Sequence, residues 1–220
     1  MMKSYLFLFL SLSLISCGKS GSGGKNNSAT ADVAATTSES SNASSTNAQA
    51  SPVPSSALTW DANVKFTNFT RTQENKVLDA VDLVKQVIAS SAFKSKILNH
   101  TYNGKKTFVD NLGLTNAQIY KKIIESSEKL NPGKNYTMDI TLATYQTDAN
   151  VIGYTLPNVN KVWMNTRYLN QFTPVQVSSN LVHEWLHKLG FGHDFESTPS
   201  RPYSVPYAVG YIIKSLAAKY

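Results

Sequence analysis

Three of the four histidines of this chain lie within twelve residues, 183–194, and their spacing constrains the local fold. His183 and His187 are four residues apart, so on an α-helix they project from the same face, one turn apart. Gly190 follows three residues later, where a glycine can take a positive φ and end the helix. The chain then turns back and can bring His193 close to the first two histidines.

Three imidazoles in this arrangement predict a metal site. Imidazoles four apart on a helix can bind one zinc ion at about 2.0–2.1 Å, and a third protein ligand leaves the fourth position for water. Glu184 lies about 100° around the helix from His183, so its carboxylate falls beside the metal, where it can take a proton from water. We therefore predict one catalytic Zn²⁺. Its ligands are His183, His187 and His193, with Glu184 as the general base.

The pattern HExxHxxGxxHD over residues 183–194 resembles the signature of the metzincin clan of zinc metallopeptidases. The resemblance implies a zinc metalloendopeptidase with a twisted mixed sheet, an antiparallel edge strand along the cleft, an active-site helix and a C-terminal helix. Gly190 corresponds to the glycine of the signature. Asp194 matches the acidic residue that supports the floor of the site in the adamalysin-like branch, and a loop cap is its alternative role.

One feature departs from this family. Metzincins carry a methionine in a turn beneath the metal, but no methionine follows Met164 in this chain. Residues 203–207 stand where that turn is expected. Val205 or Pro206 could supply the apolar floor. Tyr207 could correspond to the tyrosine that reaches the zinc or the oxyanion in some branches, with packing in the core as the alternative.

Hydrophobic periodicity predicts alternating helices and strands, and hence an α/β or α+β domain. Capping-box pairs open two of the helices, at Thr70 with Gln73 and at Thr115 with Gln118. The predicted helices span about 72–92, 115–133, 174–189 and a segment around 209–216. The predicted strands are 64–69, 136–145, 151–155 and 162–165, and 151–155 is the candidate for the edge strand.

The N-terminal part has a different character. In residues 1–16 one positive residue, Lys3, precedes an apolar run, which is the layout of a secretory signal peptide. Residues 14–17 resemble the lipobox of bacterial lipoproteins, so we predict lipidation of Cys17, the only cysteine. An ordinary signal peptide followed by a chance cysteine is the alternative. Residues 17–57, rich in Ser, Ala, Thr, Asn and Gly beyond the cysteine, are predicted to be a flexible tether, and 58–220 the metallopeptidase domain.

The net charge of the chain indicates few further binding partners. Removing residues 1–16 takes away one lysine and no acidic residue, so the net charge falls from +7 to +6. We find no basic stripe and no base-reading motif, so no nucleic-acid partner is predicted. The expected partners are a peptide or protein substrate and, through Cys17, the membrane of a bacterial cell envelope. The protein is expected to be monomeric. Gly18 stands where an aspartate commonly signals retention in the inner membrane, which favours the outer membrane.

Two other functions remain open from the sequence. A binding lipoprotein could keep the zinc and lose catalysis, although zinc binding alone does not require Glu184. A zinc hydrolase acting on the cell wall, of the amidase type, is the other alternative. The retained carboxylate and the three-histidine pattern favour peptide hydrolysis over both.

The predicted anchor can be tested by replacing its cysteine. Cys17→Ser removes the thiol that accepts the lipid, so the variant is expected to leave the membrane fraction or to remain an uncleaved precursor. Fractionation of the source cells and mass spectrometry of the mature N-terminus measure this. A native protein that is soluble, lacks residues 1–16 and carries no lipid on Cys17 would contradict the prediction.

Overall fold

The computed structural model describes residues 59–220, so the predicted signal peptide, Cys17 and the tether lie outside the described residues. The described chain forms one open four-stranded sheet and six α-helices, which confirms the predicted α+β class. In chain order the elements are β1 Asp61–Thr67, α1 Arg71–Ala89, α2 Ser91–Leu98, α3 Asn116–Glu125, β2 Thr137–Tyr145, β3 Gly153–Thr155, β4 Lys161–Asn165, α4 Thr166–Gln171, α5 Pro174–Lys188 and α6 Val205–Ala217. None of these helices is both long enough and apolar enough to cross a membrane.

The sheet is mixed and has the strand order β1-β2-β4-β3. β1 and β4 both pair with β2 in parallel, with Val64 opposite Ile140 and Leu142 opposite Val162. β3 pairs antiparallel with β4 and is the last strand on that side. The expected antiparallel edge strand is therefore present, although only residues 153–155 of the predicted 151–155 are strand.

Local sequence signals explain where the long helices begin. Each of α1, α3 and α5 opens with a reciprocal capping box, in which a threonine and the glutamine three residues later each satisfy the other's backbone N–H. The pairs are Thr70 with Gln73, Thr115 with Gln118, and Thr173 with Gln176. The apolar positions of α1 that predicted a helix are all buried, and these are Val77, Val81, Val84 and Ile88.

Three features differ from the sequence prediction. α3 ends at Glu125 rather than near residue 133, because Ser126 takes a left-handed φ of 51° and its hydroxyl accepts a hydrogen bond from Trp60 Nε1 at 2.9 Å. The helices α2 and α4 were not predicted. They have eight and six residues, too few to display a helical hydrophobic period.

The position of α5 is set by its two helical neighbours, α1 and α6. α6 comes close to α5 because Gly210 has no side chain: a Cβ there would lie 3.2 Å from the backbone oxygen of Ser179. The Ser179 hydroxyl donates to Gly210 O at 2.8 Å and joins the two helices. The same Cβ would lie 3.7 Å from His183 Cβ, so the contact brings the middle of α6 next to the first histidine of the cluster.

A buried carboxyl group links α5 to the loop that follows α3. Glu128 is 2% exposed, and its Oε1 accepts hydrogen bonds from Trp185 Nε1 at 2.9 Å and from Asp139 N at 3.2 Å. Burial raises the pKa of Glu128, and the bond from Trp185 opposes this. Because its folded-state pKa is raised, the contribution of Glu128 to stability is fully present below the unfolded pKa of about 4.3 and is lost as pH rises through the folded pKa.

Glu128→Gln removes this ionisation and keeps an oxygen acceptor. We therefore expect the free energy of unfolding to fall less between about pH 4 and pH 7 in the variant than in the parent. Urea denaturation at both pH values measures the difference, with the exposed Glu196→Gln as the matched control. An identical pH dependence in the parent and in Glu128→Gln would show that the pKa of Glu128 is not raised.

Candidate metal centre

The three predicted metal ligands come together at the C-terminal end of α5. His183 and His187 lie on the helix and His193 on the loop after it, and one ring nitrogen from each lies within 4.8 Å of the others. His183 Nε2 and His193 Nε2 are 3.2 Å apart. The three rings are also close, with centroids 5.0–5.1 Å apart. The cluster could hold a metal ion.

A tight turn at Gly190 returns the chain to the helix. Gly190 has φ +100°, its N–H donates to His187 O at 3.0 Å, and Phe191 N–H donates to Leu186 O at 3.1 Å. These two bonds form a Schellman motif, and the buried side chains of Phe191 and Leu186 are the apolar residues that usually accompany it. α5 thus ends at Lys188, within one residue of the predicted end, and His193 follows directly.

The second nitrogen of each ring is oriented by a backbone carbonyl. His187 Nδ1 lies 2.8 Å from Phe191 O and His193 Nδ1 lies 2.8 Å from Asp194 O. His183 bonds to the backbone of Pro206. Because a carbonyl oxygen only accepts, the proton of His187 and of His193 is on Nδ1, and the lone pair is on Nε2. Such bonds fix the tautomer and orientation of metal-binding imidazoles.

The distance between His183 Nε2 and His193 Nε2 suits a shared ion. Two lone pairs that face each other at 3.2 Å repel unless a cation lies between them. Two nitrogens bound tetrahedrally to one ion at the usual distance are about 3.3 Å apart. Burial lowers the pKa of all three histidines, that of His187 to about 3, so at neutral pH they are in the uncharged form that binds metals.

Glu184 lies beside this cluster and is 3% exposed. Burial raises the pKa of Glu184 to about 8, and the charge of Lys188 and a hydrogen bond with Asn180 act in the opposite direction. No described residue forms a hydrogen bond with its Oε2. A Cβ on Gly153 would lie 3.6 Å from Glu184 Oε1, so the carboxyl group lies against the edge strand β3.

Lys188 joins the same helix to the loop after β3. It is 4% exposed, and its ammonium group donates to Leu156 O at 2.9 Å and to Val159 O. Burial lowers the pKa of Lys188 to about 8, and the charge of Glu184 opposes this. Lys188 was not predicted from the sequence. The available signal was its position four residues after Glu184, which puts both on one side of the helix.

Tyr207 packs against two of the three histidines. The centroid of its ring lies 4.5 Å from that of His183 and 4.7 Å from that of His193, and its hydroxyl accepts a hydrogen bond from Arg201 Nη2. Burial raises the pKa of Tyr207 to about 12, and the charge of Arg201 opposes this. Val205 is fully buried in the core. The sequence pattern contained no signal for Arg201, which is 6% exposed.

Asp194 lies at the protein surface. Its Oδ2 accepts a hydrogen bond from the Thr198 hydroxyl at 3.1 Å, and its backbone oxygen accepts the bond from His193 Nδ1. The carboxylate therefore links Asp194 to Thr198 within the loop that follows His193. Its backbone oxygen, rather than its carboxylate, forms the hydrogen bond with His193.

Comparison with known proteins gives no family for the chain. No protein-family model matches it, and no curated protein matches its sequence. The site is thus defined by its own geometry, which is a cluster of three histidines on and beside a helix that could hold a metal ion.

Removing one ligand tests the cluster. His193→Ala is expected to lose most of the metal that the purified protein holds after loading with zinc, because two imidazoles bind far more weakly than three. Metal content is measured by mass spectrometry, and circular dichroism checks the fold. The matched control is His100→Gln, which changes the one histidine outside the cluster and should keep the metal. Undiminished metal in His193→Ala would show that His193 is not a ligand.

Proposed function

We propose that the described domain is a zinc-dependent endopeptidase of the metzincin type. The observation that carries this proposal is a set of three uncharged imidazoles that converge beside a buried carboxyl group. This group belongs to Glu184, which is not a member of the histidine cluster. Three histidines and an open fourth position are the donor set of catalytic zinc sites, whereas structural sites use four protein ligands. When bound, zinc lowers the pKa of water towards about 7 and polarises a carbonyl group.

Glu184 is proposed as the general base. Its position next to His183 keeps it off the metal and within reach of a water molecule at the fourth position. Burial raises the pKa of Glu184 to about 8 in the metal-free site, and a zinc ion close by would lower it and favour the carboxylate that accepts the proton. The carboxylate would accept a proton from water and pass it to the leaving amine.

Tyr207 is proposed to stabilise the oxyanion. Its hydroxyl oxygen is held by Arg201, and an accepted hydrogen bond leaves the phenol proton available for donation. The buried guanidinium group also adds positive charge behind the two histidines that Tyr207 contacts. Because these contacts already hold the hydroxyl group in place, little reorganisation is needed during the reaction.

The edge strand β3 is proposed to bind the substrate. It is the last strand of the described sheet, and an extended peptide can add to such an edge through backbone hydrogen bonds. Gly153 places this strand against Glu184, and Thr155 lines a pocket together with His187 and His193. A peptide bound along β3 would therefore run past the metal centre.

The cellular setting is proposed from the N-terminal sequence. A lipid on Cys17 and a long polar tether would hold the domain at a bacterial membrane, with the outer membrane favoured, and leave it free to reach peptide substrates. We propose that it acts as a monomer with one catalytic zinc ion and without a nucleic-acid partner.

Glu184→Ala tests the mechanism. It should retain the zinc and the fold, while kcat falls by about 10²–10⁴-fold, which corresponds to roughly 3–5 kcal/mol of barrier. KM should change little, because the carboxylate acts mainly in the transition state. Cleavage of casein, gelatin and a broad peptide library measures activity, and Glu196→Ala, an exposed acidic residue of the following loop, is the control.

The assay also separates the alternative functions. Undiminished peptide cleavage by Glu184→Ala would exclude the proposed mechanism. Digestion of purified cell wall without peptide cleavage would favour the amidase-type hydrolase. Zinc binding without hydrolysis of any of these substrates would favour the binding lipoprotein.

A further inference from the structure

We infer that the pocket beside His187 and His193 binds an acidic side chain of the substrate, and that Lys129 selects it. The inference rests on the proposed peptidase function and adds a specificity to it. It is based on the position of one cationic side chain, that of Lys129, at the wall of a mainly apolar pocket.

The pocket adjoins the metal centre and has a volume of about 180 Å³. This is several times the roughly 30 Å³ that one water molecule takes up in the liquid, so a side chain fits. Because two of the histidines line it, a side chain that enters it belongs to a residue next to the bond held at the metal. Besides these histidines its wall is mainly apolar and includes Thr155, Pro157, Phe191 and Phe195.

Lys129 reaches the pocket across Gly190. Its backbone N–H donates to Lys188 O at 2.8 Å, which fixes residue 129 at the end of α5. A Cβ on Gly190 would lie 2.5 Å from Lys129 Cε and 3.4 Å from Lys129 Nζ, so the lysine stem occupies the space that any other residue at 190 would fill. The missing side chain at 190 thus allows the ammonium group to lie at the pocket wall.

The charges around the pocket leave this ammonium group available. Among the described residues that line the pocket none is acidic, and Lys129 forms no ion pair with any described residue. A glutamate or aspartate side chain matches both parts of the pocket, since its methylene groups can pack on Phe191 and Phe195 and its carboxylate can accept from Lys129. A neutral amide of the same shape gains only the weaker hydrogen bond.

Another role for Lys129 has to be separated from this one. A lysine at the end of α5 also interacts favourably with the negative end of the helix dipole. That role alone predicts an effect on stability and none on the choice of substrate. The test therefore measures a ratio between two substrates, which a loss of stability does not change.

The first measurement uses the full chain and pairs of fluorogenic peptides that differ only in Glu or Gln at one of the two residues flanking the cleaved bond. At one of these positions the parent is expected to cut the Glu peptide with a kcat/KM about tenfold higher, and the preference should shrink at high salt. Lys129→Met should bring the ratio close to one, and Lys129→Glu should favour Lys over Glu. Lys129→Arg should keep the preference, as should the control Lys219→Met, which removes an exposed lysine elsewhere.

The second measurement does not depend on catalysis. The zinc-loaded Glu184→Ala chain is mixed with fluorescently labelled forms of the same peptides, and binding is followed by anisotropy. Tighter binding of the Glu peptide, lost on adding Lys129→Met, supports the inference. Equal binding of the two peptides, or no binding of either, overturns it.

The outcomes separate this inference from the proposed function. If peptides are cut but the parent ratio is near one at both positions, or is unchanged in Lys129→Met, the inference fails and the peptidase proposal stands. If the parent cuts no peptide, the proposed function fails, and the anisotropy result alone decides whether Lys129 selects an acidic group.

Discussion

The turn at Gly190 is the constraint on which the rest of the site depends. Its two backbone hydrogen bonds, to the carbonyls of Leu186 and His187, end the helix and reverse the chain. The reversal brings His193 back to the helix, and it presents the Phe191 carbonyl to His187 Nδ1. A side chain at 190 is disfavoured because φ is +100°, and a Cβ there would also have to displace the end of the Lys129 side chain. One backbone conformation therefore sets the position of His193, the orientation of His187, and one wall of the adjoining pocket.

Burial gives the site a second property, since it disfavours charge on the three histidines and on Glu184. It lowers the pKa of the three histidines and raises the pKa of Glu184 to about 8, so without a metal these four side chains are mostly uncharged at neutral pH. An uncharged interior avoids the large cost of isolated buried ions. A bound divalent cation reverses the preference at Glu184, because a nearby positive charge favours the carboxylate. The same burial thus keeps the imidazoles ready to bind and makes the basicity of Glu184 depend on the ion.

The sequence predicted those parts of the fold that local chemistry determines. Capping boxes marked the starts of α1 and α3, Pro174 marked that of α5, and the spacing from His183 to His193 predicted the cluster. The helices α2 and α4 were missed because they are too short to show a period, and the end of α3 was misplaced because the contact of Ser126 with Trp60 is not local. Arg201 and Lys129 were missed for the same reason, since their contacts with Tyr207 and with the end of α5 form only in the tertiary fold.

Two lysines lie at the C-terminal end of α5, Lys188 within the helix and Lys129 on the loop that follows α3. The C-terminal end of a helix carries partial negative charge, so cations gather there. Lys188 points inward and binds the carbonyls of Leu156 and Val159, which ties the loop after β3 to the helix that carries two of the histidines. Lys129 is fixed to the same helix end by its backbone and reaches the pocket wall. The loop after β3, the pocket wall and two of the three histidines thus all contact one helix end, so a change in the turn at Gly190 would reach each of them.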